Sequence, residues 1–250
     1  MHLGNGAITP ECVVLTVSAG AAGLAAAAAA ARADLAKRDK LLLAAGLGAL
    51  VFAAQAVNVP AWAGVSAHLV GGVLLASLLG PGLGACTMAL VLAVQACLLG
   101  DGGVAALGAN IVNMALLPAA LVALAKGRST IVMALLAGLA VPLAAGLIAI
   151  ETALFRPAAE LAGWSSFAAL LIGTHLWIGV LEAGCTAGVI AALSRLTEPA
   201  AMQPRYALRT AAWCLAAALV LIAIWPLSSG LPDGYEASAL ASGQERLLAD

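Results

Sequence analysis

Charged side chains are too scarce in this sequence to clothe a water-soluble protein. They make up 9% of 250 residues, against about 25% in an average soluble domain. Hydrophobic residues make up 64%, and the mean hydropathy is +1.08. No basic patch suits a nucleic acid, which excludes that class of partner. Metal-ligating side chains are equally sparse, with three histidines and five cysteines. Cys12, Cys86, Cys97, Cys185 and Cys214 lie within apolar runs without a C-x-x-C pair, so they read as packing residues. Two motifs are missing: the H-E-x-x-H of a helical metalloprotease, and the glycine–lysine loop that cradles nucleotide phosphates. No enzyme activity is therefore expected, ATP hydrolysis included. The bilayer is the remaining solvent. The fold class is an all-α, polytopic membrane bundle.

The few charges are ordered along the chain. Nine of the eleven basic residues fall in three short loops. These hold Arg32, Lys37, Arg38 and Lys40, then Lys126 and Arg128, then Arg195, Arg205 and Arg209. Loops rich in Lys and Arg stay in the cytoplasm, so both termini are expected outside. A crossing needs about 20 apolar residues, which places helices at about 11–31, 41–57, 129–150, 165–193 and 206–227. Gly-rich breaks at Gly80-Pro81-Gly82-Leu83-Gly84 and Gly100-Asp101-Gly102-Gly103 divide the stretch from His68 to Ala125 into three more. About eight crossings result, and the third, at about 69–80, is short enough to be broken or re-entrant. The first apolar run is not expected to be a cleaved signal, because residues 1–11 carry no Lys or Arg.

The second residue is a histidine. A free amine on Met1, the amide nitrogen between Met1 and His2, and His2 Nδ1 can close a five-membered and a six-membered chelate ring on one ion. Three in-plane nitrogens with a fourth place open suit nickel(II) or copper(II). The fourth nitrogen could come from His68, which follows an outward loop, or from His175. His175 lies inside a helix with Glu182 seven residues later on the same face. That pair is a functional candidate by its depth, but helix packing is the more economical reading. In the first helix, small residues at four-residue spacing, such as Gly23 with Ala27, allow close helix approach.

Together these residues resemble a known family. The opening Met-His-x-x-x-Gly is similar to the start of the CbiM/NikM family, substrate-binding membrane subunits of energy-coupling-factor transporters for cobalt and nickel. Ser66-Ala67-His68, Gln95 to Gly103, Leu107-Gly108-Ala109-Asn110 with Met114, and His175 to Glu182 resemble its later motifs in the same order. The likeness spans about residues 1–195. Ser228 to Glu236 resembles the signature of the small accessory subunit CbiN or NikN, departing from it at Tyr235. This divides the chain into a metal-binding membrane domain, 1–205, and an added helix with an outward segment, 206–250. The resemblance implies a metal held by Met1, His2 and His68, with Asp101, Asn110 and His175 in supporting positions. It implies a transported ion in place of a cofactor, and nickel ahead of cobalt, since Asp101 stands where cobalt members tend to have histidine. It also implies a membrane scaffold subunit and two ATPase subunits as partners, in the inner membrane of a bacterial-type cell. A self-sufficient secondary transporter is the competing class, and would show paired interrupted helices near the midplane.

Overall fold

A computed structural model describes residues 2–125, 129–196 and 204–248. Met1, Lys126 and Arg128 lie outside the described residues, as does the side chain of Arg205. The chain runs through α1 (Pro10–Ala30), α2 (Arg38–Ala56), a hairpin of β1 (Val59–Trp62) and β2 (Val65–Ala67), and the short helix α3 (Gly72–Leu79). Then come α4 (Pro81–Leu99), α5 (Leu107–Leu124), α6 (Thr130–Ala153), α7 (Trp164–Leu196), α8 (Pro204–Ile224) and α9 (Gly234–Ala241). Among the described residues, seven helices are long and apolar enough to cross a membrane: α1, α2 and α4 to α8. The protein is thus a multi-pass helical membrane protein.

The third expected crossing departs from the others. Only Gly72–Leu79 is helical there, which at 1.5 Å per residue gives about 12 Å. It is too short to span. Yet it does connect the two ends of the bundle. The turn that follows it brings Gly82 so close to α1 that a Cβ would lie 2.6 Å from the Ala27 carbonyl oxygen. Gly71, at its start, has φ of 77° and packs on Val51 of α2. Before it, His68 to Val70 form no regular secondary structure. Non-helical backbone is tolerated at such depth only where protein groups satisfy it, and here they do. Val70 and Gly71 donate their N–H groups to the Glu182 carboxyl oxygens, each at 2.8 Å, and the Val70 carbonyl accepts from Gln55 Nε2 at 2.6 Å.

Local signals explain the helix starts. Thr9 caps α1, its hydroxyl accepting from the Cys12 N–H, with Pro10 in the first turn where no donor is needed. Ser129 caps α6 in the same way. Small residues let helices touch: a Cβ on Gly179 of α7 would meet the Gly138 oxygen of α6 at 2.4 Å. The outward face of α6 shows the solvent it was made for. Ile131, Leu135, Leu139 and Leu143 recur every four residues and are exposed, which is a lipid-facing stripe. Of the cysteines, Cys12 and Cys214 are buried as packing residues, whereas Cys97 and Cys185 are exposed on apolar surface.

One end of the bundle gathers the non-helical segments. Residues 2–9, the hairpin, the loop 100–106 and the tail from Ser228 onward meet there. The tail is stitched to the hairpin: Ser66 N–H donates to the Pro232 carbonyl at 2.9 Å, its hydroxyl to the Leu231 carbonyl at 2.8 Å, and Ser229 N–H to the Asn58 carbonyl at 2.8 Å. Tyr235, the departure from the accessory-subunit signature, is buried edge-on against Phe167 and donates its hydroxyl to the Leu247 carbonyl.

Candidate metal centre

The segment before α1 is pinned, where most chain ends fray. Leu3 and Ala7 are fully buried. Asn110 grips the Leu3 peptide on both sides, accepting its N–H at 3.0 Å and donating to its carbonyl at 3.2 Å. Gly103 N–H donates to the same carbonyl at 2.8 Å, and Asn5 Oδ1 accepts from the Ala105 N–H. Arg156, placed just beyond α6, reaches back to the Gly6 and Ala7 carbonyls. Asn110 was expected to support the ligands, which would mean holding a ring. It fixes backbone instead, one residue from His2.

That arrangement lays His2 against His68. Their rings stack with centroids 5.6 Å apart and planes within 5°. The ligand candidates on opposite sides of 65 intervening residues thus share one pocket. His68 Nδ1 donates to the Leu69 carbonyl at 3.0 Å. A carbonyl can only accept, so the proton sits on Nδ1 and Nε2 keeps its lone pair, as a metal ligand requires. Burial drives the His68 pKa down from an ordinary 6.5 to about 3, which keeps the ring neutral.

A pH dependence follows. Between pH 6.5 and about 3 the unfolded ring holds a proton that the folded ring refuses. Stability is therefore full above pH 6.5 and falls as pH drops through that window. Melting of the metal-free protein across pH 7 to 4 should show this decline, and His68→Gln should make it shallower.

Asp101 does hold His2, but by the nitrogen the chelate would use. His2 Nδ1 lies 3.0 Å from Asp101 Oδ1. Burial alone would raise the Asp101 pKa; the His2 hydrogen bond and the positive charge around it together outweigh burial and hold the carboxyl below its usual range. His2 Nε2 is buried without a hydrogen-bond partner among the described residues. Binding through Nδ1 requires the Asp101 bond to be exchanged for the ion. Met1, which would supply the amine, lies outside the described residues.

His175 stands one layer away. Its Nδ1 donates to the Leu171 carbonyl one turn back at 2.7 Å. Gly234 of the tail packs on its ring so closely that a Cβ would lie 2.8 Å from Cε1. It forms a floor for the tail beside His68 and Asp233, which line the same small pocket. A larger cleft of about 490 Å³ opens above, lined by His2, His68, Asp101, Asp233 and Glu236. No group of three or more His, Cys, Asp or Glu side chains with metal-binding geometry occurs among the described residues. Two histidines, main-chain nitrogen and the carboxylates of Asp101, Asp233 and Glu236 are what this cleft can offer an ion.

Sequence reasoning passed over Arg156 and Gln55, and met Gln95 only as the first residue of a family motif, without a role. Arg156 is a basic residue outside the three basic loops, a usable signal. The glutamines lie inside apolar runs, where a buried amide must have a purpose or a partner.

Gly103 is the tightest point of the site. A Cβ there would sit 2.3 Å from the Asn5 backbone nitrogen and 2.6 Å from the Gly4 carbonyl carbon. Both neighbours are backbone and cannot step aside. Gly103→Ala is expected to push the N-terminal segment off Asn110 and Asp101, with protease cleavage within residues 2–9 of the folded variant as the readout.

The chain is similar to known membrane proteins. Residues 2–200 match the family described as the cobalt uptake substrate-specific transmembrane region, CbiM. A protein of Archaeoglobus fulgidus named as a fused nickel transport protein, NikMN, is 52% identical over 71 residues, which are 28% of this chain and 24% of that protein. A protein of Haloquadratum walsbyi named for metal transport is 34% identical over 198 residues, covering 76% of this chain and 88% of the other. The crystal structure of a transition metal transporter superposes with a TM-score of 0.67 at 29% identity, covering 80% of this chain and 95% of that one.

Proposed function

The chain belongs to the family of cobalt uptake substrate-specific transmembrane proteins, and from that premise we propose that it is the capture subunit of an energy-coupling-factor transporter for nickel(II). Cobalt(II) is the second ion. The Met1 amine, the His2 amide, His2 Nδ1 and His68 Nε2 hold it in a square of nitrogens, a geometry that suits nickel(II) among divalent ions. The stacking of His2 on His68 carries this reading. Two rings so far apart in sequence, one with its lone-pair nitrogen set by a backbone carbonyl, are built to share something. Asp101 keeps His2 in place until the ion arrives, and then yields Nδ1. The membrane is the inner membrane of a bacterial-type cell. A scaffold subunit and two ATPases supply the work, since this sequence has no phosphate-binding loop.

One observation favours a second binding mode. The unpartnered, buried Nε2 of His2 could take the ion directly, with the terminal amine and amide left out.

Purified protein with its native start tests the reading. Nickel bound per chain should be lost in His2→Ala and in His68→Ala, and kept in His175→Ala, whose ring serves the tail. In cells, nickel accumulation should require co-expression of the scaffold and ATPase genes. Uptake by this chain alone would instead make it a secondary transporter.

A further inference from the structure

We propose that Gln55, Gln95 and Glu182 are positioning residues that set the spacing of His2 and His68, and through it the preference for an ion that accepts a square of nitrogens. This rests on the nickel-capture reading above. The three side chains are almost wholly buried, and hydrogen bonds join them into a chain between the two histidines. His2 meets Asp101, whose N–H donates to the Gln95 carbonyl at 3.1 Å. Gln95 Nε2 donates to Gln55 Oε1 at 2.8 Å. Gln55 Nε2 donates to the Val70 carbonyl at 2.6 Å. Glu182 then fixes the Val70 and Gly71 N–H groups from the other side. His68 is two residues before Val70 in the same non-helical stretch.

Local geometry supports a positioning role. The end of α4 widens into a π-helical turn over Gln95–Leu99, closed by Gly100 in the left-handed region with φ of 68°. Both the Gly100 and Asp101 N–H groups thereby fold back onto one carbonyl, that of Gln95. Such single wide turns commonly mark functional sites. Gln95 is also an expensive choice for packing alone. It lies among apolar residues, and its Oε1 has no hydrogen-bond partner among the described residues. A methionine would fill that space without burying an unsatisfied acceptor of its own. The one bond its amide does make is the link to Gln55. Asp101 and His68 are thus held to a common frame, so neither ring can drift to meet an ion of different geometry.

Gln55→Met and Gln95→Met remove the links while nearly conserving volume. Loss of an outer partner commonly lowers metal affinity by about 10–100-fold, and a nickel loss of about tenfold is expected in each. The nickel-over-cobalt preference should narrow, and the ligand-field absorption of bound nickel should change. Adding Gln95→Met to Gln55→Met should cost little more, because the chain is already cut. If Gln55→Met does not fold, Gln95→Met, which disturbs only one bond, carries the test. Unchanged nickel affinity, selectivity and spectrum in a folded variant overturns the proposal. So does an equal loss for both ions with an unchanged spectrum, which marks a purely structural role. Failure of the unaltered protein to bind nickel would overturn the reading beneath. Loss in His2→Ala and His68→Ala with intact glutamine variants overturns the positioning chain alone.

Discussion

Replacing Glu182 with alanine is expected to empty the metal site without touching a ligand. The carboxyl accepts the N–H groups of Val70 and Gly71 at 2.8 Å each, and these are donors at the start of the short helix α3, which no earlier turn can satisfy. Burial leaves no water to replace it. Two orphaned buried donors cost about 1–3 kcal/mol each, so about 2–6 kcal/mol in all. That is a large share of the stability of an ordinary domain. The cheapest relief is for the stretch from His68 to Gly71 to move, which carries the His68 ring off His2. Nickel bound per chain and the melting temperature should fall together. Glu182→Gln keeps one acceptor oxygen and should lie between the two. A Glu182→Ala protein that melts normally and fills with nickel would show that α3 does not depend on this cap.

The same residue shows where sequence reasoning stops. Its position on one helical face with His175 was legible, and so was a structural role. Its partner was not. Glu182 bonds main chain more than a hundred residues earlier, and a backbone N–H carries no mark in a sequence. The shortness of the third crossing was legible from the glycines around residue 80. What was hidden is how the non-helical stretch before α3 is held, because that depends on Gln55 and Glu182 arriving from two other helices.

The candidate site was legible in part. Charge asymmetry put His2 and His68 on the same side of the bundle, and the family likeness favoured His68 over His175. In the structure the rings of His2 and His68 stack. Asp101 and Asn110 were expected near the ligands, and each touches the N-terminal segment. Which atom each would touch was not legible. Asn110 recognises the Leu3 peptide, a choice fixed by the depth to which α5 brings it. Asp101 meets His2 Nδ1 because the π-helical turn at Gln95 sets the loop's height, and no period in the sequence announces a π turn.

The chelate remains the central claim, and its geometry gives it a sharp test. The amine, amide and imidazole close adjoining rings when histidine is the second residue, and a further amide nitrogen joins them when it is the third, so the spacing must grow by two residues to break the chelate. Two alanines inserted between Met1 and His2 carry the ring beyond the reach of such a chelate while leaving every side chain of the site in the protein. Nickel bound to the purified insertion variant, measured by equilibrium dialysis beside the unaltered chain, is the decisive quantity. The account predicts that tight binding is lost and that the absorption of square-planar nickel disappears with it. Undiminished binding would contradict it, and would assign the ion to the buried Nε2 of His2 instead.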